Sequence, residues 1–413
     1  MPPSPHGNFR HISDDSKLVG PELREVSRLC PFRKMTMEKS PTILYFVTED
    51  WYFCSHRLPL ALAAQKAGFR VTVVTRVQNH GETITSHGLK LVPLQLVRHS
   101  LNPLRGLLLF VRFIKILRRE CPDILHNVSL KPVFYGSLAA LFSRTPRVIN
   151  ALTGLGYLFS SRNWKARLVR PFIEFIFRRL LNRPNTKIIF QNPEDCELFI
   201  QRKLIEEDRA VLIRGSGVDM HLFTPAPEAE GPPVVLLASR MLWDKGVGVF
   251  VEAARRLAGE GVSARFVLAG GCDSGSPTAI PPAVFEKWKT EGVIEWWQHR
   301  ENMTEVFNAS HIVCLPTTYG EGVPKVLIEA AACGRAIIAT DVPGCREIVL
   351  DRQNGILIPP GNHKALADAI RTLIDDPGLR QKMGEAGRRI ALSEFSSEHV
   401  IAQTLALYRP CLH

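Results

Sequence analysis

The stretch that decides the fold is Thr42–Thr75, TILYFVTEDWYFCSHRLPLALAAQKAGFRVTVVT. It predicts a buried strand over Thr42–Thr48 and a second strand over Arg70–Thr75, because each is a short apolar run. Leu58–Ala67 between them has helical spacing, and we interpret Thr48–Arg57 as the loop that follows the first strand. A strand, a helix and a second strand form a βαβ unit, which requires a parallel sheet.

The alternation of strands and helices continues outward from this unit and then restarts. In the first half, helical spacing over Leu104–Arg119 precedes predicted strands over Asp123–His126, Pro146–Ala151 and Lys187–Gln191. Turn-forming residues in Gly215–Pro225 indicate a domain junction. The predicted strands of the second half are Pro233–Ala238, Arg265–Ala269, Glu295–Gln298, His311–Pro316 and Ala336–Thr340, and its predicted helices are Val247–Leu257, Pro324–Ala332, Lys364–Asp375 and Pro377–Glu394.

This pattern predicts an α/β protein with two doubly wound, Rossmann-like domains that face a central cleft. We place a first domain at residues 41–219 and a second at residues 220–394. Residues 395–413 are predicted to form a helix that packs back toward the first domain, and residues 1–40 to be a disordered tail or a mis-assigned start. Ligands of such sheets bind at the carboxyl ends of the strands, so both domains are expected to contribute to one site.

Composition limits the classes of function. Of the 413 residues, 45% are apolar and 22% charged, which excludes a largely disordered chain. The net charge of +12 is uneven, because residues 1–215 carry +16 and the remainder −4. A basic half favours partners that carry phosphate, such as nucleic acid, anionic lipid or a phosphorylated substrate.

The cysteines and the apolar runs indicate the compartment. Nine scattered cysteines without a CxxC pair argue against a zinc site and against a disulfide framework, so we expect a reducing cytosol. No apolar run approaches the roughly 20 residues of a membrane-spanning helix. The first residues also lack the apolar core of a secretory signal.

Several familiar motifs are absent from the sequence. It contains no GxxxxGK[ST], no GxGxxG after the first strand, no GxSxG and no HExxH. It also contains no Asp-x-Asp, the usual metal-binding pair for a nucleotide diphosphate. We therefore expect no metal and no bound cofactor.

Two groups of charged residues lie at predicted strand ends in the second half. Glu321 comes just before the predicted helix Pro324–Ala332, and Glu329 lies inside that helix. Paired carboxylates at a helix start can bind the vicinal hydroxyls of a sugar, while the backbone N–H groups there attract phosphate. Arg240 and Lys245 flank the end of another strand, where two cations suit a diphosphate and could replace a metal. For the two carboxylates, the alternative is a capped helix with one exposed Glu. For the two cations, the alternative is a solvated basic turn.

The first half offers a second set of candidates. His126 ends a predicted strand and could face the cleft, with Lys131 following it. A single histidine is more often structural. Thr153 and Gly154 lie in a glycine-rich bend at the end of the next strand, for which a plain tight turn is the better interpretation when taken alone.

Taken together, these residues resemble retaining glycosyltransferase family 4, whose members have the GT-B fold. Glu321-x7-Glu329 with GVP between, the Arg240/Lys245 pair and the segment GVDMHLFTP carry the resemblance, which spans roughly residues 42–409. Ser100–Pro103, Gly154–Phe159 and Arg240–Val247 are more similar to bacterial transferases that extend undecaprenyl-diphosphate-linked sugars.

The resemblance implies a role for each part of the chain. The second domain would bind a UDP-sugar without metal, and the first would bind a polyprenyl-diphosphate-linked sugar acceptor. Glu321 and His126 would lie at the transferred sugar. The implied donor-binding residues are Arg240, Lys245, Glu329, Gly322, Val323, Pro324, Trp297 and Gln298. The implied acceptor-side residues are Asp50, Trp51, Lys131, Thr153 and Gly154.

A lipid-linked acceptor implies a cytoplasmic enzyme on the inner face of the cytoplasmic membrane, with no nucleic acid partner. The segment Arg162–Arg183 mixes basic and large apolar residues and could lie on an anionic membrane. A core-facing helix with a solvated basic face shows the same pattern. Two other functions stay open: a sugar-nucleotide epimerase or phosphorylase of related architecture, and a non-enzymatic binder of anionic lipid or nucleic acid.

Overall fold

The structure of the protein is a computed structural model that describes residues 40–96, 103–143, 145–154, 164–273, 275–318 and 320–409. The predicted tail therefore lies outside the described residues, except for Ser40. The described residues also leave out Ser100–Asn102 and residues 155–159. These make up most of Ser100–Pro103 and Gly154–Phe159, two of the segments that carry the closer resemblance.

The first sheet contains seven parallel strands in the order β3-β2-β1-β4-β5-β6-β7. Its central strands are buried throughout because helices cover both faces, which explains their nearly continuous apolar runs. Tyr45 on the first strand packs into the core on one face, whereas Leu44 and Phe46 pack on the other. The strands are β1 (Thr42–Glu49), β2 (Arg70–Arg76), β3 (Lys90–Pro93), β4 (Ile124–Val128), β5 (Arg147–Leu152), β6 (Thr186–Phe190) and β7 (Ala210–Leu212).

The second sheet contains six parallel strands in the order β10-β9-β8-β11-β12-β13. Its first strand begins at Val234, so the predicted junction Gly215–Pro225 lies between the two sheets. The strands are β8 (Val234–Ala238), β9 (Arg265–Ala269), β10 (Glu295–Trp296), β11 (Ile312–Leu315), β12 (Ala336–Thr340) and β13 (Gly355–Ile358). The two sheets confirm the predicted α/β fold with two Rossmann-like domains.

Helices cover both sheets. Those of the first half are α1 (Asp50–His56), α2 (Leu58–Lys66), α3 (Gly81–Ser86), α4 (Pro103–Glu120), α5 (Leu130–Ser143), α6 (Trp164–Leu181) and α7 (Pro193–Gln201). Those of the second half are α8 (Val247–Gly259), α9 (Pro282–Thr290), α10 (Met303–Asn308), α11 (Lys325–Ala332), α12 (Pro343–Arg346), α13 (His363–Asp375), α14 (Pro377–Glu394) and α15 (Ser397–Tyr408). The last helix returns to the first sheet, where Tyr408 lies fully buried beside Tyr45.

The structure corrects several predicted elements. Most of Thr48–Arg57, interpreted as a loop, is the end of β1 and the short helix α1. The strand predicted over Glu295–Gln298 ends at Trp296. The sequence analysis missed the strands β3, β7 and β13 and the helices α3, α5, α7, α9, α10 and α12. The three strands have three or four residues each, so tertiary pairing at the edge of a sheet determines them more than a local pattern does.

Candidate functional site

The predicted cations of the second domain lie at the carboxyl edge of its sheet. Arg240 follows the end of β8, and Lys245 ends a short 3-10 turn. Gly246 holds that turn in place, because its φ of 76° is left-handed and a Cβ there would lie 1.9 Å from the carbonyl oxygen of Pro316. The close approach fixes Lys245 beside the end of β11, from which Glu321 follows.

Lys245 and Glu321 form an ion pair through the Nζ and Oε1 atoms. Only 20% of the Lys245 side chain and 15% of the Glu321 side chain are exposed, so solvent screens the pair weakly. The Thr317 hydroxyl lies 3.3 Å from the same carboxylate oxygen. The structure therefore brings together two predicted residues that lie 76 positions apart.

Glu329 lies in the second turn of α11, where it is buried. The ammonium group of Lys325, one helical turn earlier, donates to its carboxylate at 2.8 Å. The sequence analysis does not include the side chain of Lys325 among the site residues, so it missed the cation beside Glu329. The i,i+4 spacing of Lys325 and Glu329 was the available signal.

Arg240 connects the two domains. Its guanidinium donates to Asp273 at 2.7 Å and lies 5.6 Å from the centre of the Trp51 ring on α1. This distance is typical of a cation–π contact. Trp51, predicted on the acceptor side, thus meets the cation predicted to bind diphosphate. Asp273 was not predicted, because it follows β9 without a recognisable motif.

His56 is a second residue that the sequence analysis missed. It ends α1 and stacks on Tyr52 with ring centres 4.1 Å apart, and its Nδ1 atom is buried without a hydrogen-bond partner among the described residues. Burial lowers the pKa of His56 well below its usual range, and the charges of Lys325, Arg57 and Arg240 lower it further. The first domain therefore presents a neutral imidazole near two cations of the second. The sequence analysis interprets Thr48–Arg57 as a loop and therefore does not identify His56 as a site residue.

The segment Glu321–Pro324 lies against the first domain. The backbone N–H of Val323 donates to Oε1 of Gln191 at 3.1 Å. Gly322 is required there, because a Cβ would lie 2.1 Å from the same oxygen and 2.9 Å from the carbonyl of Thr153. Gly154 touches the segment as well, next to the amide of Gly322. We expected the Val323 amide to face the donor, but its N–H is hydrogen-bonded to Gln191 in this structure. Pro324 has no N–H to offer a ligand, and it is the N-cap residue of α11.

The structure contradicts two expectations for the first domain. His126 is fully buried beneath Tyr45 and Tyr408, and its Nδ1 lies within hydrogen-bonding distance of the Tyr408 hydroxyl. Burial lowers its pKa well below the usual range, so it is a neutral core residue and not a group at the cleft surface.

Asp50 is also fully buried, and it has a structural role. Its carboxylate accepts the backbone N–H groups of Trp51, Gln78 and His80 at 2.7–2.8 Å. These bonds tie the loop after β2 to the start of α1. Its expected position on the acceptor side is therefore wrong, because both carboxylate oxygens are already bonded inside the domain.

The other predicted residues lie at the carboxyl edges of their sheets. Lys131 is half-buried at the start of α5, and Thr153 hydrogen-bonds the Ser129 hydroxyl at 3.2 Å. Trp297 follows β10 and borders a cavity of about 360 Å³, and the exposed Gln298 after it has a left-handed φ of 57°. The described residues that line this cavity do not include the paired charges. Gln298 accepts the backbone N–H of Gly270, at the end of β9, at 2.7 Å.

Among the described residues, no group of three or more His, Cys, Asp or Glu side chains is arranged to hold a metal ion. No helix in the described part of the chain is long and apolar enough to cross a membrane.

Comparisons with known proteins agree with this geometry. Residues 42–192 match the family described as glycosyl transferase 4-like, and residues 222–390 match the glycosyl transferases group 1. One curated relative is N,N'-diacetylbacillosaminyl-diphospho-undecaprenol alpha-1,3-N-acetylgalactosaminyltransferase of Campylobacter jejuni. It is 29% identical over 366 residues, which cover 85% of this chain and 94% of the relative.

Two solved structures share the fold. A glycosyltransferase from Rickettsia africae superimposes with a TM-score of 0.71 at 20% identity, covering 91% of this chain and 99% of that one. HepE of Anabaena, solved in complex with UDP, superimposes with a TM-score of 0.70 at 18% identity, covering 89% of this chain and 100% of that one.

Proposed function

This chain belongs to the GT-B glycosyltransferases, with a glycosyl transferase 4-like domain followed by a group 1 domain, and from that premise we propose its reaction. It transfers an N-acetylhexosamine, with retention, from a UDP-sugar to a polyprenyl-diphosphate-linked sugar during surface polysaccharide or glycan synthesis. Membership of this family decides against the non-enzymatic binder and against the epimerase or phosphorylase.

The observation that carries the proposal is the set of ion pairs at the carboxyl edge of the second sheet. Arg240, Lys245 and Lys325 each hold a carboxylate partner there. A diphosphate carries more negative charge than one carboxylate and can replace it at these cations. Replacement would free Glu321 and Glu329 to accept hydrogen bonds from the hydroxyls of a sugar and a ribose.

The cations account for the chemistry in the proposed reaction. The bond between the sugar C1 and the diphosphate oxygen breaks while the acceptor hydroxyl attacks the same face, and the proton of that hydroxyl passes to the leaving phosphate. Arg240 and Lys245 stabilise the negative charge that develops on UDP. Fixed charges in a site with little water are usually the largest contribution to such catalysis. We propose that these cations make a metal ion and any further cofactor unnecessary.

Similar proteins support the two substrates. HepE of Anabaena was crystallised with UDP, which supports a uridine nucleotide as the donor. The relative from C. jejuni is named for an acceptor on diphospho-undecaprenol and for transfer of N-acetylgalactosamine. Trp297 and Gln298, which follow β10, are proposed to border the base of the donor.

We further propose that the enzyme works on the inner face of the cytoplasmic membrane. The basic first half complements anionic lipid. On α6, Phe177 and Leu181 are buried in the core, while Phe172 and Phe175 are exposed on the other side near Arg179. The helix thus has both a core face and an exposed apolar and basic face.

The experiment measures the melting temperature of the purified protein with UDP, GDP and a panel of their sugars. A ligand that binds only the native state raises the free energy of unfolding and therefore the melting temperature. At a ligand concentration of 100 times its Kd, the gain in free energy is about 2.7 kcal/mol. We expect UDP and one UDP-sugar to stabilise the protein with or without EDTA, and Glu329→Ala to remove the effect. Glu286→Ala, which removes an exposed carboxylate of α9, is the matched control. Stabilisation by GDP compounds alone would exclude the proposed donor, and loss of the UDP effect in EDTA would exclude the metal-free site.

A further inference from the structure

Trp51 is a side chain of the first domain that meets a proposed donor cation of the second. It is half-buried on α1, and the Arg240 guanidinium carbon lies 5.6 Å from the centre of its ring. Phosphate groups are bound by cations and by hydrogen-bond donors, so the face of this ring is not itself a group that holds a diphosphate. What the ring can act on is the arginine.

The backbone at Arg240 is fixed, whereas its side chain has few contacts. The loops after β8 and β9 approach each other closely there, since a Cβ at Gly270 would lie 1.7 Å from the carbonyl oxygen of Ser239. Among the described residues, the guanidinium makes one hydrogen bond, to Asp273 at 2.7 Å, and its side chain is 30% exposed. The carboxylate and the ring of Trp51 therefore determine where this guanidinium lies.

The two neighbours of the guanidinium differ in how a diphosphate affects them. Asp273 is a carboxylate, which the diphosphate replaces in the proposed reaction. The ring of Trp51 attracts the cation through its π electrons and has no net charge, so it does not repel the diphosphate. It also accepts none of the five N–H groups that a guanidinium offers, which leaves them available to phosphate oxygens. The contact between Arg240 and Trp51 is therefore compatible with a bound donor.

Trp51 is itself held in place from inside the first domain. Its backbone N–H donates to the Oδ1 atom of Asp50 at 2.8 Å. Asp50 is fully buried, and its other oxygen accepts the N–H groups of Gln78 and His80. The Tyr52 ring packs edge-on against the Trp51 ring, with ring centres 5.7 Å apart. The start of α1 is thus tied to the loop after β2, so Trp51 forms a fixed surface for the arginine.

We propose that Trp51 is a positioning residue for the donor, which holds the Arg240 guanidinium where it binds the diphosphate. The inference rests on the proposed function and adds a group of the first domain to the donor site. A free arginine side chain loses rotamer freedom when it binds a ligand, and one that is already held loses less. Trp51 thus strengthens UDP binding through the arginine, and the complete donor site requires contact between the domains.

The experiment measures the Kd of UDP for the full-length protein by titration calorimetry. Trp51→Leu keeps an apolar side chain and removes the ring, so it should raise the Kd about five- to thirtyfold, the usual strength of a partly buried cation–π contact. Trp51→Phe keeps an aromatic face and should lie closer to the wild type. Phe142→Leu, which removes an exposed ring in the last turn of α5, is the matched control and should bind UDP as the wild type does.

A double-mutant cycle separates positioning from a general structural role. Arg240→Gln should raise the Kd of UDP about tenfold or more, because a charge-assisted hydrogen bond is lost. Adding Trp51→Leu to this variant should raise the Kd no further, since the ring acts only through the guanidinium. When Trp51→Leu is combined instead with Lys289→Gln, which removes an exposed cation of α9, its full effect should remain.

The outcomes separate this inference from the proposed function. A Kd of Trp51→Leu within twofold of the wild type, an equal loss in Trp51→Leu and Trp51→Phe, or losses that multiply when Trp51→Leu and Arg240→Gln are combined would overturn the positioning role and leave the donor site intact. If Arg240→Gln binds UDP as the wild type does, the role of Arg240 and this inference both fail. If the wild type does not bind UDP, the proposed donor is wrong and the positioning role fails with it.

Discussion

Individual charged residues at the carboxyl edge of the second sheet are paired with one another in the structure. Arg240 holds Asp273, Lys245 holds Glu321, and Lys325 holds Glu329. Partly buried charges need such partners, because desolvation without compensation is costly. The pairs hold each cation in place, so the proposed function requires little reorganisation when a diphosphate replaces the carboxylates.

At this scale we predict the effect of removing one cation. Arg240→Gln should lower kcat for sugar transfer by about 10²–10³, since loss of one group that stabilises developing charge has that effect. The same change should leave the melting temperature of the free protein nearly constant, because the ion pair with Asp273 is partly exposed.

Steady-state kinetics with a UDP-sugar and a polyprenyl-diphosphate acceptor measure this effect. Lys289→Gln, which removes an exposed cation of α9, is the control and should behave as the wild type. A kcat for Arg240→Gln within twofold of the control would show that Arg240 does not stabilise the leaving group.

At the scale of elements, α15 lies within the segment that the sequence analysis predicts to pack back toward the first domain. It packs on the first sheet although its sequence follows the second domain. Tyr408 anchors it, because its ring is fully buried and its hydroxyl lies within hydrogen-bonding distance of Tyr45 and His126. The helix therefore connects the end of the chain with the core of the first domain.

This anchor predicts a graded loss of stability. Tyr408→Ala should destabilise the protein by about 3–5 kcal/mol, as expected for removal of a large buried ring. Tyr408→Phe should cost only about 1 kcal/mol, because it removes the hydroxyl and leaves the packing. Gln403→Ala, an exposed position on the same helix, is the matched control. Melting curves provide the measurement, and equal melting temperatures for all three variants would contradict the anchoring role.

For the molecule as a whole, both domains bury neutral histidines. Burial is the main cause that lowers the pKa of His56 and His126 in the first domain and of His311 in the second. The unfolded chain protonates these groups near pH 6.5, whereas the folded protein does so only at lower pH. Their contribution to stability is therefore present above about pH 6.5 and is lost as the pH falls toward the folded pKa values.

The predicted result is a melting temperature that falls between pH 7.5 and pH 5.5. Each fully affected histidine contributes a loss of up to about 1.4 kcal/mol per pH unit, and this loss begins below about pH 6.5. His126→Phe keeps an aromatic ring against Tyr45 and removes one titrating group, so its melting temperature should depend less on pH. His221→Gln, an exposed histidine, should keep the wild-type slope. The same slope in His126→Phe would show that folding does not lower the pKa of His126.

The two domains also make direct contact. Gln191 of the first domain accepts the Val323 amide, and Glu194 pairs with Arg346 of the second at 2.5 Å. These contacts lie at the edge where the strands of both sheets end. They place Trp51 and His56 of the first domain near the cations of the second, so one site is built from both.

The sequence by itself determined the two parallel sheets and the charged residues at their strand ends. Buried parallel strands are short apolar runs, and Glu321, Glu329, Arg240 and Lys245 follow such runs or begin the next helix, so local pattern was sufficient. It could not show that Arg240 meets Trp51, since no local pattern specifies a contact between domains.

Only the tertiary structure decided which polar residues are buried. His126 is covered by Tyr408, which follows it by 282 positions, and Asp50 is surrounded by amides from the loop after β2. His56 reaches the cleft because α1 forms where the sequence indicated a loop. Burial and charge at these positions arise from segments distant in the chain, and a residue's type and its neighbours in sequence do not contain that information.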